Sequence, residues 1–214
     1  MSIRRCVERT PANICQREDL TSICLNTAGL VNLATLSEST GIDRRTARAY
    51  DLLLENLLVT EQIPAWWTNR IKRLVQSPKR YVIDSGLVGA TLGLDRQGVR
   101  KDGNILGRLL DTFVMSQLRA EAAAAAARAR LFHLRTHGGR NEIDLIAEYE
   151  DGRVFGIEIK AGSAPTPRDA RHLRWLADEL DDQFIGGAVL HTGPRRYRLD
   201  DQIVAAPISA LWAS

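Results

Sequence analysis

The stretch NEIDLIAEYEDGRVFGIEIKAG, residues 141–162, reads as two short apolar strands joined by a turn, with Glu142, Asp144, Glu158 and Lys160 inside the strands. Charged groups in such strands are costly to bury without partners. Side chains alternate faces along a strand, so the register of the hairpin decides where these charges go. A two-residue turn at Asp151-Gly152 would set Glu158 opposite Leu145 and place carboxylates beside the core. A three-residue loop, Glu150-Asp151-Gly152, instead pairs Asp144 with Glu158 and Ile143 with Ile159. Gly152 then takes the last loop position, where a left-handed residue and a bulge are expected. With that register the aliphatic residues share one face, and Glu142, Asp144, Glu158 and Lys160 share the other.

Two carboxylates set opposite each other resist ionising together unless a cation lies between them. Mg²⁺ or Mn²⁺ suits such an oxygen cluster, using one or two carboxylates with water and substrate phosphate. Lys160, two residues beyond Glu158 on the same face, could orient an attacking water or neutralise a phosphate. The other reading of the same pattern is a solvated sheet face on which Lys160 neutralises Glu158.

The chain before this hairpin has a different rhythm. LVNLATLSESTG, from Leu30, has leucines at near-helical spacing and stops on Gly41. Asp43 can cap a second helix, RRTARAYDLLLENLLV, with Ala47, Tyr50, Leu53, Leu54 and Leu57 as an apolar stripe. Helix, turn, helix, followed by strands in LLVTEQIPAWW and RLVQSPKRYVID, is the pattern of a winged helix. Arg44, Arg45 and Arg48 open the second helix, where a recognition helix meets nucleic acid. Arg70, Lys72, Arg73, Lys79 and Arg80 follow beside Trp66 and Trp67 with no acidic residue from Pro64 to Val82. Basic residues among aromatics point to a nucleic-acid surface. A packing module with tryptophan anchors and solvated charges accounts for the same residues.

Residues 1–20 are expected to be a poorly ordered leader, 21–94 the winged helix-turn-helix-like domain, 95–106 a glycine-rich linker, and 107–214 a second domain. That second domain opens with the helix LLDTFVMSQLRAEAAAAAARARL, whose Leu110, Phe113, Val114 and Leu118 share a face. A strand (LFHLRT), a Gly138-Gly139 turn and the hairpin come next. A helix from Thr166-Pro167 to about Leu180 follows, with Leu173, Leu176 and Leu180 inward. The strand FIGGAVLH, an extended RRYRL and a last helical turn, ISALW, complete the expected α/β (α+β) fold with a mixed sheet flanked by helices.

The net charge of +3 permits a polyanionic partner. No stretch approaches the roughly 18 apolar residues of a membrane span. Cys6, Cys15 and Cys24 fit neither a closed disulfide set nor a metal knuckle, which points to a reducing cytoplasm. The four histidines lack zinc-site spacing. His137, in the loop before the hairpin, is in reach of a substrate phosphate.

A hairpin with Asp, then Glu-x-Lys, after a helix bearing an acid resembles the PD-(D/E)xK, restriction-endonuclease-like superfamily. GIDRRTARAYDLLLENLLV, KRYVIDSGLVGATLG, GRLLDTFVMSQL, LRTHGGRNEIDLIAE, GIEIKAG and PISALW together resemble, over about Leu30 to Trp212, domain of unknown function 4143, which follows predicted AAA-type ATPases. The resemblance implies a winged helix-turn-helix joined to a restriction-endonuclease-like core. It makes Asp144 and Glu158 metal ligands, Lys160 the catalytic lysine, and Asp111 the acid of the first core helix, where the family more often has glutamate. Glu142 becomes an auxiliary residue.

No GxxxxGK[ST] motif occurs, so ATP hydrolysis is not expected of this chain, which reads as the C-terminal part of such an ATPase. Two functions stand side by side: a Mg²⁺-dependent nuclease-like protein acting on DNA, and a non-catalytic DNA- or protein-binding module with an inactive nuclease fold. An ATPase partner and homo-oligomerisation are compatible with both.

Overall fold

The computed structural model describes residues 20–30, 43–71, 74–125 and 128–212. Residues 1–19 of the expected leader, the helix beginning in LVNLATLSESTG from Val31 onward, Lys72 and Arg73 lie outside these residues. Residues 20–25 are helical (α1) and lead into strand β1, Gly29–Leu30. Asp43 accepts from the amides of Arg45 and Thr46 and caps α2, Arg44–Asn56. Strands β2 (Thr60–Ile63) and β3 (Lys79–Val82) pair antiparallel, with β1 on the far side of β3. The stripe expected on α2 is only half buried. Ala47 and Leu54 join Ile23, Cys24, Val82 and Val88 in a small core, whereas Leu53 and Leu57 are exposed.

Residues 95–106, expected to be a glycine-rich linker, are largely helical. After α3 (Ser85–Leu92), which ends on Gly93 at φ +64°, come α4 (Arg96–Lys101) and α5 (Gly103–Ala124). Asp95 and Asp102 cap these two helices, so their side chains supply the helix starts that the glycines obscured.

The larger sheet has six strands: β4 (Ala129–Arg135), β5 (Glu142–Tyr149), β6 (Val154–Lys160), β7 (Phe184–His191), β8 (Tyr197–Arg198) and β9 (Ile203–Pro207). Their spatial order is β4-β5-β6-β7-β9-β8, antiparallel from β4 to β6 and parallel from β6 through β7 to β9. Helix α6 (Arg171–Leu180) supplies the crossover and begins after the Thr166-Pro167 turn that was expected to start it. Leu173, Leu176 and Leu180 point fully inward, as their spacing requires. They pack with Ile143, Ile146, Val154 and Val189 on one sheet face. Val114 and Met115 of α5 pack with Leu145, Ile157, Ile159 and Leu190 on the other. Among the described residues, helices therefore pack on both faces of the larger sheet.

The connection between β2 and β3 reaches along the outer strand of this sheet. Trp66 donates its amide to the His133 carbonyl (2.7 Å), His133 donates to the Pro64 carbonyl (3.1 Å), and Val75 donates to the Arg135 carbonyl (2.8 Å). Trp66 is buried, with its indole N–H on Glu148 Oε1, while Trp67 is exposed. Among the described residues no helix is long and apolar enough to cross a membrane.

Candidate active site

The hairpin has the expected register: Leu145 pairs with Ile157, Ala147 with Phe155, and Glu148 with Val154. Tyr149 and Arg153 close the three-residue loop (2.9 Å), and Gly152 stands at φ +78°, where a side chain would be strained. The expected facing holds only in part. Phe132 pairs with Ile146 but Leu134 with Ile143, so β5 takes three steps where β4 takes two. This bulge turns Ile143 to the α6 side, away from Leu145. It also carries Asp144 to where β5 and β6 part. There Asp144 Oδ2 accepts the Ile159 amide at 2.9 Å, in place of a backbone carbonyl.

Asp144 Oδ1 lies 3.3 Å from Lys79 Nζ, and Asp111 Oδ2 of α5 lies 2.9 Å from the same ammonium. Tyr81 donates its hydroxyl to Asp111 Oδ1 at 3.1 Å. Lys79 and Tyr81 are two apart on β3 and so share a face, which presents both to one carboxylate. The assignment of Lys79 to a nucleic-acid surface is thereby corrected: it is 4% exposed. Arg80 is corrected likewise, being buried against Asp51 at 2.6 Å. Strand β3 is the middle strand of its sheet, and all four of its residues are buried. Arg44, Arg45 and Arg48 are exposed, as is Arg70, which donates to the Leu180 carbonyl at 3.0 Å.

Glu158 is 2% exposed. Its Oε2 accepts from Lys160 Nζ at 2.7 Å, and its Oε1 is buried with no hydrogen-bond partner. Burial, with Asp144 adding repulsion, pushes the Glu158 carboxyl up to about 8, against the pull of Lys160. Burial likewise raises Asp111 to about 6, although Lys79 draws the other way. Burial opposes the charge on Lys79, but the carboxylates of Asp111 and Asp144 outweigh it and raise its pKa well above the usual lysine value.

A cleft of about 630 Å³ opens onto this cluster. Lys79, Asp111, Asp144 and Lys160 line it, with Arg108 and Arg135. Glu142 is also in its wall and pairs with Arg135 at 3.4 Å. His137 is exposed in the turn between the lining residues Thr136 and Gly138. Arg108 was not singled out by sequence, because its neighbours in the cleft come from distant segments. It reaches the Thr27 carbonyl at 2.9 Å.

Among the described residues no group of three or more His, Cys, Asp or Glu side chains gathers as a metal cage. A hard divalent cation that completes its shell with water and phosphate needs only one or two carboxylates. Glu158 fits that donor chemistry: a buried carboxyl oxygen without a partner, close enough to Asp144 for their charges to repel.

Fold and site together define an α/β protein whose mixed, helix-covered sheet sets Asp144 and Lys160 in the wall of a cleft that Lys79, Arg108 and Arg135 also line, with Glu158 buried against Lys160. Residues 106–211 match the family described as Domain of unknown function (DUF4143), and residues 14–98 match Domain of unknown function (DUF8612). The chain is 36% identical over 174 residues to Uncharacterized protein Rv2008c of Mycobacterium tuberculosis and, equally, to Uncharacterized protein Mb2031c of Mycobacterium bovis. The alignment covers 81% of this chain but only 37% of each relative's length. No solved structure matches.

Proposed function

We propose that the protein is a divalent-cation-dependent phosphodiester hydrolase of the restriction-endonuclease-like kind, acting on DNA in the cytoplasm. The observation that carries this reading is the unpartnered, buried Oε1 of Glu158 beside Asp144 and Lys160. Asp144 and Glu158 would hold Mg²⁺ or Mn²⁺, which when bound supplies Lewis-acid stabilisation of phosphate charge and a more acidic water. Lys160 orients the attacking water and offsets the charge on the phosphate. Asp111 assists indirectly, by fixing the Lys79 ammonium beside Asp144. Arg108 and Arg135 give the cleft its attraction for a polyanion. The exposed arginines of α2 extend that attraction to the winged-helix-like unit. The chain spans about 37% of its curated relatives' length, and action together with an ATPase partner belongs to the same proposal.

A second reading is favoured by one observation: the Lys79 ammonium already sits between Asp111 and Asp144. On that reading the chain is a non-catalytic DNA- or protein-binding module on a nuclease-type scaffold.

Calorimetric titration with Mn²⁺ separates the two, together with cleavage of supercoiled and single-stranded DNA. The hydrolase reading expects saturable binding and cleavage by the wild type, both lost in Asp144→Asn/Glu158→Gln. DNA retention without metal binding or cleavage, even with DNA present, selects the binding module.

A further inference from the structure

Lys79 comes from the smaller sheet, whereas the carboxylates it serves stand on a helix and on the larger sheet. Its partners are 32 and 65 residues away in sequence, on α5 and β5. The ammonium has little freedom to leave. Its stem rises from a buried middle strand, and the Tyr81 ring lies 5.8 Å from Nζ. Tyr81 also holds the second oxygen of Asp111, so that carboxylate cannot turn away.

We propose that Lys79 is the resident counter-cation of the site, so that a divalent cation is taken up tightly only together with an anionic phosphodiester. The proposal rests on the metal reading above and adds a rule for how the site fills.

The argument is one of charge. Asp111, Asp144 and Glu158 face two ammoniums, Lys79 and Lys160. With every group ionised the cluster carries one net negative charge. A dication alone turns that into an excess positive charge in a largely buried place, which is unfavourable. A dication accompanied by one phosphodiester leaves the cluster neutral. Arg108 in the cleft wall strengthens the preference for an accompanying anion, whereas Arg135 is already matched by Glu142. By linkage, cation and phosphodiester then raise each other's affinity by the same factor. Lys79 acts through the carboxylates and is a positioning residue.

The test is calorimetric titration of Mn²⁺ into the full chain, with and without a short phosphorothioate-linked DNA oligonucleotide. For the wild type, the oligonucleotide should tighten Mn²⁺ at least about tenfold. For Lys79→Met, Mn²⁺ alone should bind at least about tenfold more tightly than it does to the wild type, because a nearby positive charge is gone. The oligonucleotide should then add little. Lys79→Met leaves Asp111 without its cation and can fail to fold. Lys79→Gln removes the same single charge while keeping a hydrogen-bond donor for Asp111, and serves as the second variant, its fold checked by circular dichroism. Mn²⁺ affinity in these variants equal to or below that of the wild type overturns the proposal and leaves the metal reading standing. Mn²⁺ binding in the wild type that ignores the oligonucleotide does the same. If no form binds Mn²⁺ under either condition, the metal reading falls and this proposal falls with it.

Discussion

Ile159 donates its backbone N–H to Asp144 Oδ2 at 2.9 Å, so a side chain ends the ladder between the two strands of the hairpin. The residue proposed to bind metal also closes the sheet at the point where the cleft begins. Asp144→Ala would remove both roles at once. Asp144→Asn keeps a carbonyl oxygen for Ile159 while discarding the charge. Urea denaturation should find Asp144→Ala destabilised by about 1–3 kcal/mol, the cost of a buried donor left unpaired. Asp144→Asn should lose distinctly less. Equal losses would mean that Ile159 does not depend on this oxygen.

Asp111 is held by Lys79 and Tyr81 at once. Removing one member of a buried ion pair leaves its partner's charge uncompensated, at a cost of about 3–5 kcal/mol. Asp111→Ala should approach the lower end of that range, since Asp144 continues to face Lys79. The measurement is the unfolding midpoint in urea at neutral pH. A loss below 1 kcal/mol would show that the pair is not an anchor between β3 and α5.

The raised carboxyl of Glu158 sets a pH dependence with a definite sign. Its value moves from 4.5 to about 8 on folding. Between those values the folded chain holds a proton that the unfolded chain has released, so stability falls as pH rises. In metal-free buffer the wild type should lose stability from pH 5 to pH 8 relative to Glu158→Gln, which has no proton to lose. Parallel stability curves for the two proteins would contradict this.

His133 works in the opposite direction. Burial lowers it from 6.5 to about 4, despite its bond to the Ser77 carbonyl at 3.0 Å. Between pH 6.5 and 4 the unfolded chain binds a proton that the folded chain refuses, so stability declines as pH falls. His133→Gln keeps a donor for Ser77 and should flatten that acid limb, as read by thermal melts from pH 4 to 7.

Arg44, Arg45 and Arg48 are exposed at the start of α2. Replacing all three by alanine should leave the melting temperature nearly unchanged. It should weaken DNA binding and make it less dependent on salt, since each lost phosphate contact reduces counterion release. Unaltered affinity across a salt series would remove α2 from the nucleic-acid surface.

The hairpin was legible in sequence because a loop glycine and strict alternation admit only one register that keeps the aliphatics together. The bulge at Asp144 was not legible. It depends on how β4 pairs from the other side, and no local signal in NEIDLIA marks it. Lys79 and Arg80 were misread for a related reason. A basic run with no acid nearby looks like a solvated surface, yet Asp51, Asp111 and Asp144 reach it from other elements. The helices in the glycine-rich stretch were hidden because their starts rest on Asp95 and Asp102, not on apolar periodicity. Strand β9, IVAAP, escaped notice because five small and apolar residues after a loop have little pattern of their own.

The segment lying along β4 also fixes an order of events during synthesis. Pro64, Trp66 and Val75 leave the ribosome well before His133 and Arg135, the residues whose backbones they bond. The connection between β2 and β3 therefore cannot complete its backbone bonds when it emerges. That connection waits for the second half, and the Lys79 ammonium waits with it until α5 and β5 arrive. A nascent chain halted before residue 128 would carry this lysine with no Asp144 to meet it.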